Sequence, residues 1–228
     1  MTYSNDAEAL ASSRRALQAV AEHVLSAALH AATGRIGLRP SPGGFSTPDF
    51  PHEGGERRIA VDGVDLVVID DDTERRQPLT TLRDTVALTG VEPGAPASVY
   101  TPSTPLDLDA PLTLDPAHAA TIAGWYALVA EALEALRAER PGEEPSIVQL
   151  WPEHFDVACT ISEVNYGGSP GDEGHALPYL YVGPFTPPPP DGAYWNEPFG
   201  ASRNQDHVAG VEDALAFFRE GEARVAEG

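Results

Sequence analysis

Residues 57–70 read RRIAVDGVDLVVID, and this stretch decides the fold class. Apolar residues rich in Val and Ile lie on both sides of Asp62-Gly63, a dipeptide typical of the two-residue turn of a β-hairpin. We therefore predict a hairpin over residues 57–70. The acidic run Asp70–Asp72 follows it, and a solvated loop is the simplest interpretation of that run.

Helical patterns lie on both sides of the hairpin. Apolar residues recur at three-and-four spacing over residues 6–32, which predicts a long helix ended by Gly34. Asp115-Pro116 is typical of a helix start, and the apolar stripe behind it predicts a second long helix to about Arg140. A shorter helix is expected over residues 79–89 and an acidic one over residues 208–226. The predicted buried stripe of the second long helix is Ile122, Trp125, Tyr126, Val129, Leu133 and Leu136.

The remaining regular segments are strands. Residues 146–150, 155–164 and 179–182 have the apolar content and length of strands. The sequence therefore predicts an α+β fold, with a mostly antiparallel sheet packed against two or three helices. We expect a single α+β domain over residues 1–228, with a subdivision near residues 100–114 as the alternative because residues 91–114 are Pro-rich and weakly patterned.

Composition excludes several function classes. Among 228 residues, 14 are basic and 35 acidic, the net charge is −21, and no residue is a lysine. Schiff-base chemistry, a P-loop and a kinase site all need that lysine. The acidic excess argues against nucleic acid and anionic membranes as partners, because both bind cationic surfaces. One cysteine, Cys159, excludes an internal disulfide and a Cys-rich zinc site.

The chain shows no apolar run of about 18–20 residues and no pattern of a signal peptide. We therefore expect a soluble, cytoplasmic protein. The oligomeric state cannot be derived from the sequence.

The segment richest in side chains that could bind or react with a ligand is residues 150–185, LWPEHFDVACTISEVNYGGSPGDEGHALPYLYVGPF. If residues 154–162 form one extended strand, alternation places His154 and Asp156 on one face, and Val157, Cys159 and Ile161 on the other. The apolar set belongs to a core. An imidazole and a carboxylate on the same face could act on one substrate proton or hold a divalent metal. The structural alternative is that both residues only bond to neighbouring loops.

Other residues of the same region complete the predicted site. If the strand is regular, Glu163, like Glu153, would fall on its core side, where burial would suit it to general acid or base work. The structural alternative is an exposed glutamate at the end of the strand. We predict catalytic roles for His154, Asp156 and Glu163. The residues expected to contact a ligand are polar or aromatic and surround Gly- and Pro-rich turns: Trp151, Glu153, Asn165, Tyr166, Ser169, Asp172, Tyr181, Trp195 and Asn196.

Three functions fit these residues. The first is a small-molecule site at residues 150–172, with metal-assisted catalysis as one form of it. The second is a non-catalytic protein-interaction module that uses the Pro- and aromatic-rich loop 183–199. The third is an iron(II)/2-oxoglutarate-type oxygenase, in which His154, Asp156 and a distal His175 or His207 would bind iron. The oxygenase fold has about eight strands, which this pattern does not offer.

Five blocks carry a family resemblance: IGLRPSPGGFSTPDF, LWPEHFD, EVNYGGSPGD, PYLYVGPF and YWNEPFGA. In this order they resemble a group of uncharacterised actinobacterial hypothetical proteins, over roughly residues 20–205. The WPEHFD block is also similar to a WPHHFD-type block of another bacterial domain family of unknown function. The resemblance implies one shared fold and carries no activity, so no residue role follows from it.

Overall fold

The computed structural model describes residues 2–189 and 192–227. The chain forms two compact units. The first comprises Met1–Gly124 and Leu150–Phe155, and the second comprises Trp125–Gln149 and Asp156–Gly228. The chain passes from one unit to the other within a helix, after Gly124, and again on either side of Leu150–Phe155.

The first unit is built on an antiparallel six-stranded sheet with the order β1-β2-β4-β5-β6, and β3 pairs with β4 outside this path. Its strands are β1 (Arg39–Ser41), β2 (Gly44–Ser46), β3 (Phe50–His52), β4 (Gly55–Asp62), β5 (Asp65–Asp70) and β6 (Thr73–Pro78). The predicted hairpin is confirmed as β4–β5. Because Asp62 pairs with Asp65, the turn residues are Gly63 and Val64, one position later than expected, and Gly63 has a φ of 62°.

The N-terminal helix is confirmed, with an irregular centre. It comprises α1 (Thr2–Val20), a π-helical turn (Ala21–Leu25) and α2 (Ser26–Thr33), and it ends at Gly34, whose φ is 75°. The predicted helix over residues 79–89 is reduced to α3 (Thr85–Thr89). Residues 91–114, all of which the structure describes, contain no helix or strand, as the sequence predicted.

Another antiparallel sheet has the order β11-β10-β9-β8-β7, and it belongs to the second unit except for Leu150 and Trp151 of β7. The helical and strand elements from residue 116 onward are α4 (Pro116–Glu139), a 3₁₀ turn (Pro141–Glu143), β7 (Gln149–Trp151), β8 (Asp156–Ile161), β9 (Val164–Ser169), β10 (Tyr179–Pro184), β11 (Ala201–Asn204), a 3₁₀ turn (Gln205–His207) and α5 (Val211–Glu227). The fold is therefore α+β, as predicted. The expectation of a single sheet is wrong, because the hairpin 57–70 and the strands after residue 149 belong to two separate sheets.

Helix α4 is 24 residues long and rich in apolar side chains. By length and composition it could cross a membrane, with a mean hydropathy of 1.2 in its most apolar window. All six residues of its predicted stripe are buried within the protein, Tyr126, Val129 and Leu133 completely. Asp115 caps its start, accepting hydrogen bonds from the amides of Ala117 (2.8 Å) and His118 (3.2 Å). One helix of this length and composition is weak evidence for a membrane span.

Candidate functional site

The second sheet has one polar and one apolar face. In the strand register, Tyr181 lies beside Gly167, Tyr179 lies beside Ser169, and Gly167 lies beside Ala158. Because side chains alternate along a strand, the residues that share this side of the sheet are Asp156, Thr160, Asn165, Ser169, Tyr179, Tyr181 and Ser202. We call this side the polar face.

The opposite face is apolar and carries the core of the second unit. Val157, Cys159 and Ile161 are almost completely buried there, as the alternation predicted. The Tyr166 ring contacts Phe218 of α5 edge-on, with ring centroids 6.0 Å apart. Burial raises the pKa of the Cys159 thiol to about 12, so this cysteine stays protonated and serves as a core residue.

Tyr181 and Asp156 form a hydrogen-bonded pair on the polar face. The Tyr181 hydroxyl donates a short hydrogen bond to Oδ2 of Asp156. Gly167 makes room for this ring, since a Cβ at Gly167 would lie 2.5 Å from Cζ of Tyr181. Burial raises the pKa of Tyr181 well above its ordinary value, and the neighbouring Asp156 carboxylate raises it further. The phenol therefore remains a hydrogen-bond donor at neutral pH.

Tyr179 and Asp172 form a second phenol–carboxylate pair. The Tyr179 hydroxyl donates to Oδ2 of Asp172 at 2.5 Å. Oδ1 of Asp172 accepts from the amides of Gly174 (2.7 Å) and His175 (2.8 Å). Burial raises the pKa of Asp172, but these three hydrogen bonds outweigh burial and hold the pKa below its ordinary value. Asp172 is therefore a carboxylate at neutral pH.

His175 joins the Tyr179–Asp172 pair to the chain before β11. Its ring stacks on Tyr179, with centroids 4.2 Å apart and an interplanar angle of 28°. Nε2 lies 3.0 Å from Oε1 of Glu197, and Nδ1 lies 3.6 Å from Oδ1 of Asp172. The Ser202 hydroxyl also donates to Oε1 of Glu197, at 2.9 Å. We call Asp156, Asp172, His175, Tyr179, Tyr181 and Glu197 the aromatic–carboxylate cluster.

Four of the predicted site residues lie in or beside this cluster. Asp156, Asp172 and Tyr181 belong to it. Ser169 is 4 % exposed and shares its face, and its hydroxyl bonds to the backbone of Gly171, which fixes the SPGD turn. The contact between His175 and Glu197 could not be predicted from the sequence, because a separation of 22 residues gives no signal that two side chains meet. The Tyr-x-Tyr spacing at 179 and 181 is the signal that could have placed both rings on one face.

The other predicted ligand contacts of the second unit lie elsewhere. Asn165 is on the polar face but bonds to Thr160, whose hydroxyl donates to its Oδ1 at 2.8 Å. Tyr166 lies on the apolar face. Trp195 is 7 % exposed and packs edge-on against Tyr194. Asn196 exchanges two hydrogen bonds with the backbone of Ser202 and so fixes the start of β11.

Glu163 is not a buried carboxylate. The predicted strand over residues 155–164 is in fact the β8–β9 hairpin, and Ser162 and Glu163 form its turn, with φ values of 47° and 65°. Both turn residues are exposed. The expectation that Glu163 falls on the core side is therefore wrong.

The premise that His154 and Asp156 share one face of a strand is also wrong. Strand β8 begins only at Asp156, and residues 152–155 form a turn in which Phe155 has a φ of 53°. His154 is exposed, whereas Asp156 is 7 % exposed. Trp151, Glu153 and His154 belong to the first unit. Alternation along a strand therefore cannot pair the imidazole with the carboxylate.

The arrangement of the described residues does not support the metal site that the sequence suggested. Within residues 2–189 and 192–227, no group of three or more His, Cys, Asp or Glu side chains is arranged to hold a metal ion. His207, one candidate for the third iron ligand, has a side chain that is 75 % exposed, on a 3₁₀ turn.

The first unit contains a buried polar pair that the sequence analysis did not single out. Glu22 lies in the π-helical turn, is completely buried, and accepts hydrogen bonds from the amides of Ser103 (2.7 Å) and Thr104 (2.9 Å) and from the Thr104 hydroxyl. His23 accepts from the Ala95 amide at Nδ1 (3.1 Å), so its Nε2 bears the proton directed at the carbonyl of Thr104, also 3.1 Å away. These bonds hold the irregular segment 94–104 against the helix.

Comparison with known proteins identifies no family for this chain. No family model matches the chain, and no curated protein and no solved structure matches it. The resemblance to actinobacterial proteins therefore stays a prediction.

Proposed function

We propose that the second unit binds a small molecule at the aromatic–carboxylate cluster. One observation carries the proposal: polar and aromatic side chains converge on the polar face, whereas helices α4 and α5 contact the opposite face at Gly168 and Tyr166. Asp156 and Tyr179 are more than nine-tenths buried, while the side chains of His175 and Glu197 are 21 % and 23 % exposed. A few convergent polar groups placed among aromatic side chains are typical of ligand sites.

The hydrogen bonds within the cluster support preorganisation. Each tyrosine hydroxyl is held by a carboxylate, and the His175 ring is fixed by both a stacking partner and Glu197. Side chains fixed in this way lose little entropy when a ligand binds. The same fixed imidazole could exchange a proton with a ligand, so an enzyme remains compatible with this proposal. The proposal does not depend on a metal.

The interaction module at loop 183–199 is the competing proposal, and one observation favours it. Phe185 is 61 % exposed and Phe199 is 39 % exposed. Against it, Tyr194 and Trp195 are buried, so the aromatic surface is smaller than the sequence suggested. Pro190 and Asp191 of this loop lie outside the described residues. Loss of a co-purified protein in the variant Phe185→Ser, with the ligand site intact, would favour this alternative.

We also propose that the protein is soluble and cytoplasmic, without nucleic acid or membrane partners. The acidic composition and the burial of the apolar stripe of α4 support this proposal. Light scattering of the purified chain would give its oligomeric state.

A fragment screen by NMR tests the proposed site. We expect hits to shift the backbone amides of His175, Tyr181 and Ser202, and we expect Tyr181→Phe to weaken them. Phe185→Ser is the matched control, because it alters an exposed aromatic residue of the same unit. Hits that shift only residues away from the polar face, or an absence of hits, would contradict the proposal.

A further inference from the structure

We infer that the segment 94–104 is a conformational switch, which the π-helical turn holds in place at neutral pH and releases in acid. The inference concerns the first unit and does not depend on the proposed ligand site. Release would expose Glu22, His23 and Ser26, all of which are buried at neutral pH. The inference comes from the hydrogen bonds that hold the segment and from the atoms in them that can take up a proton.

The π-helical turn directs two consecutive side chains at the same residue. In a regular α-helix, the side chains of residues i and i+1 do not face one another. In the turn Ala21–Leu25, however, Oε2 of Glu22 accepts from the Thr104 amide at 2.9 Å, and Nε2 of His23 lies 3.1 Å from the Thr104 carbonyl oxygen. A carboxylate and an imidazole therefore hold Thr104 together.

The same two residues hold both ends of the segment. At its start, the Gly94 amide donates to the backbone carbonyl of His23 at 2.8 Å, and the Ala95 amide donates to Nδ1 of the His23 ring at 3.1 Å. At its end, the Ser103 amide donates to Oε1 of Glu22 at 2.7 Å. The segment contains no helix or strand, so no ladder of backbone hydrogen bonds replaces these contacts.

Acid removes an acceptor at each end. Nδ1 of His23 accepts a hydrogen bond only while the imidazole is neutral, and a proton on Nδ1 would face the N–H of Ala95. A proton on the Glu22 carboxyl would likewise face the amide of Ser103 or Thr104, or the Thr104 hydroxyl. Both protonations weaken the same attachment. Because the released segment leaves these groups free to bind protons, acid shifts the equilibrium toward release.

Tyr100 and Glu153 are the other ionisable groups that the described contacts place at this attachment. The Tyr100 hydroxyl lies 3.5 Å from the Glu22 carbonyl oxygen and 3.4 Å from Oγ of Ser26. Burial raises the pKa of Tyr100 well above its ordinary value, and the carboxylates of Glu22 and Glu153 raise it further, so this phenol stays neutral. The Ser103 hydroxyl bonds to the backbone carbonyl of Glu153, at 2.8 Å, and a carbonyl does not titrate. Neither contact therefore adds a second pH response.

Hydrogen exchange of the full chain, followed by NMR, tests the inference. Exchange rates at about pH 7 and about pH 5, between which an ordinary imidazole becomes protonated, are corrected for the intrinsic effect of pH. We expect the protection of Gly94, Ala95 and Thr104 to fall by at least about tenfold in acid. The Thr47 amide of the same unit is the internal reference. It donates to the Ile59 carbonyl at 2.9 Å, a bond without a titrating group, and its protection should change by less than about twofold.

The variant His23→Asn separates the imidazole from the rest of the attachment. The asparagine amide oxygen can accept from the Ala95 amide but takes up no proton in this range, so the protection of Ala95 should become independent of pH. His30→Asn is the matched control, because it removes the histidine of α2 from the same long helix and should respond to acid as the unchanged chain does.

Nitrogen spectra of the unchanged chain need no variant. They should show the proton of the neutral His23 ring on Nε2, and Nδ1 should become protonated in step with the loss of protection at Ala95.

Four outcomes would overturn the inference. The first is equal protection of Gly94, Ala95 and Thr104 at both pH values. The second is a parallel loss at Thr47, which indicates unfolding of the whole unit. The third is a loss of protection at Ala95 while the His23 ring stays neutral. The fourth is a folded His23→Asn in which Ala95 still responds to acid as in the unchanged chain.

Discussion

The substitution Glu22→Gln tests whether the buried carboxylate of the π-helical turn holds the segment 94–104 in place. Glu22 is completely buried, and its two oxygens accept three hydrogen bonds from Ser103 and Thr104. Glutamine has nearly the same shape but only one acceptor oxygen. Whichever way its amide is turned, an NH₂ group faces backbone or hydroxyl donors.

The expected magnitude follows from the bonds that are lost. A hydrogen bond to a charged group contributes about 1.5–3 kcal/mol, and a neutral one contributes about 1 kcal/mol. With the better amide orientation, Thr104 keeps its acceptor at reduced strength, and the Ser103 amide loses its acceptor. We therefore expect Glu22→Gln to lower the free energy of unfolding by about 2–4 kcal/mol.

Urea unfolding at pH 7, followed by circular dichroism, measures this change. Glu8→Gln is the matched control, because Glu8 is exposed on α1 and the same substitution there should change stability by less than about 0.5 kcal/mol. Hydrogen exchange should also be faster at the amides of Ser103 and Thr104 in Glu22→Gln. A loss below about 1 kcal/mol with unchanged exchange at both amides would refute the reasoning.

Three further predictions concern the first sheet and the ligand site. Asp70→Asn should lower the free energy of unfolding, measured in urea, by about 2–3 kcal/mol, because it leaves the buried Arg57 without its carboxylate partner. The control Asp49→Asn removes one member of an exposed ion pair and should lower it by less than about 1 kcal/mol. The Arg57 guanidinium holds the pKa of Asp70 at about 2, below its ordinary 3.8. This ion pair therefore stabilises the fold above pH 4, and the stabilisation is lost as the pH falls from about 4 to 2. In Asp70→Asn, the free energy of unfolding should depend less steeply on pH over that range. Gly167→Ala should cost about 1–3 kcal/mol and displace the Tyr181 ring, because its Cβ would lie 2.5 Å from that ring, and an unchanged Tyr181 ring spectrum in NMR would contradict the crowding.

The local elements could be predicted because their signals lie within a few residues. The α4 stripe, the Asp115 cap and the β4–β5 hairpin all follow from periodicity or turn residues, and the structure confirms them. The turn at Ser162-Glu163 could not be predicted in this way. Neither residue is a Gly, Asn or Pro, yet both have a positive φ, which the pairing of β8 with β9 imposes. Alternation was therefore applied over residues 154–162, whereas β8 covers only Asp156–Ile161.

The sequence by itself determined the α+β class, the acidic charge, the absence of lysine chemistry and the apolar side of β8, because each depends on composition or on neighbours along the chain. Only the tertiary structure decided that the strands form two sheets, that His175 meets Glu197, and that Glu22 is buried against Ser103. The first of these side-chain contacts joins residues that are 22 positions apart in the sequence, and the second joins residues that are 81 positions apart. Which distant segments meet depends on the pairing and packing of the whole chain, and no local pattern encodes it.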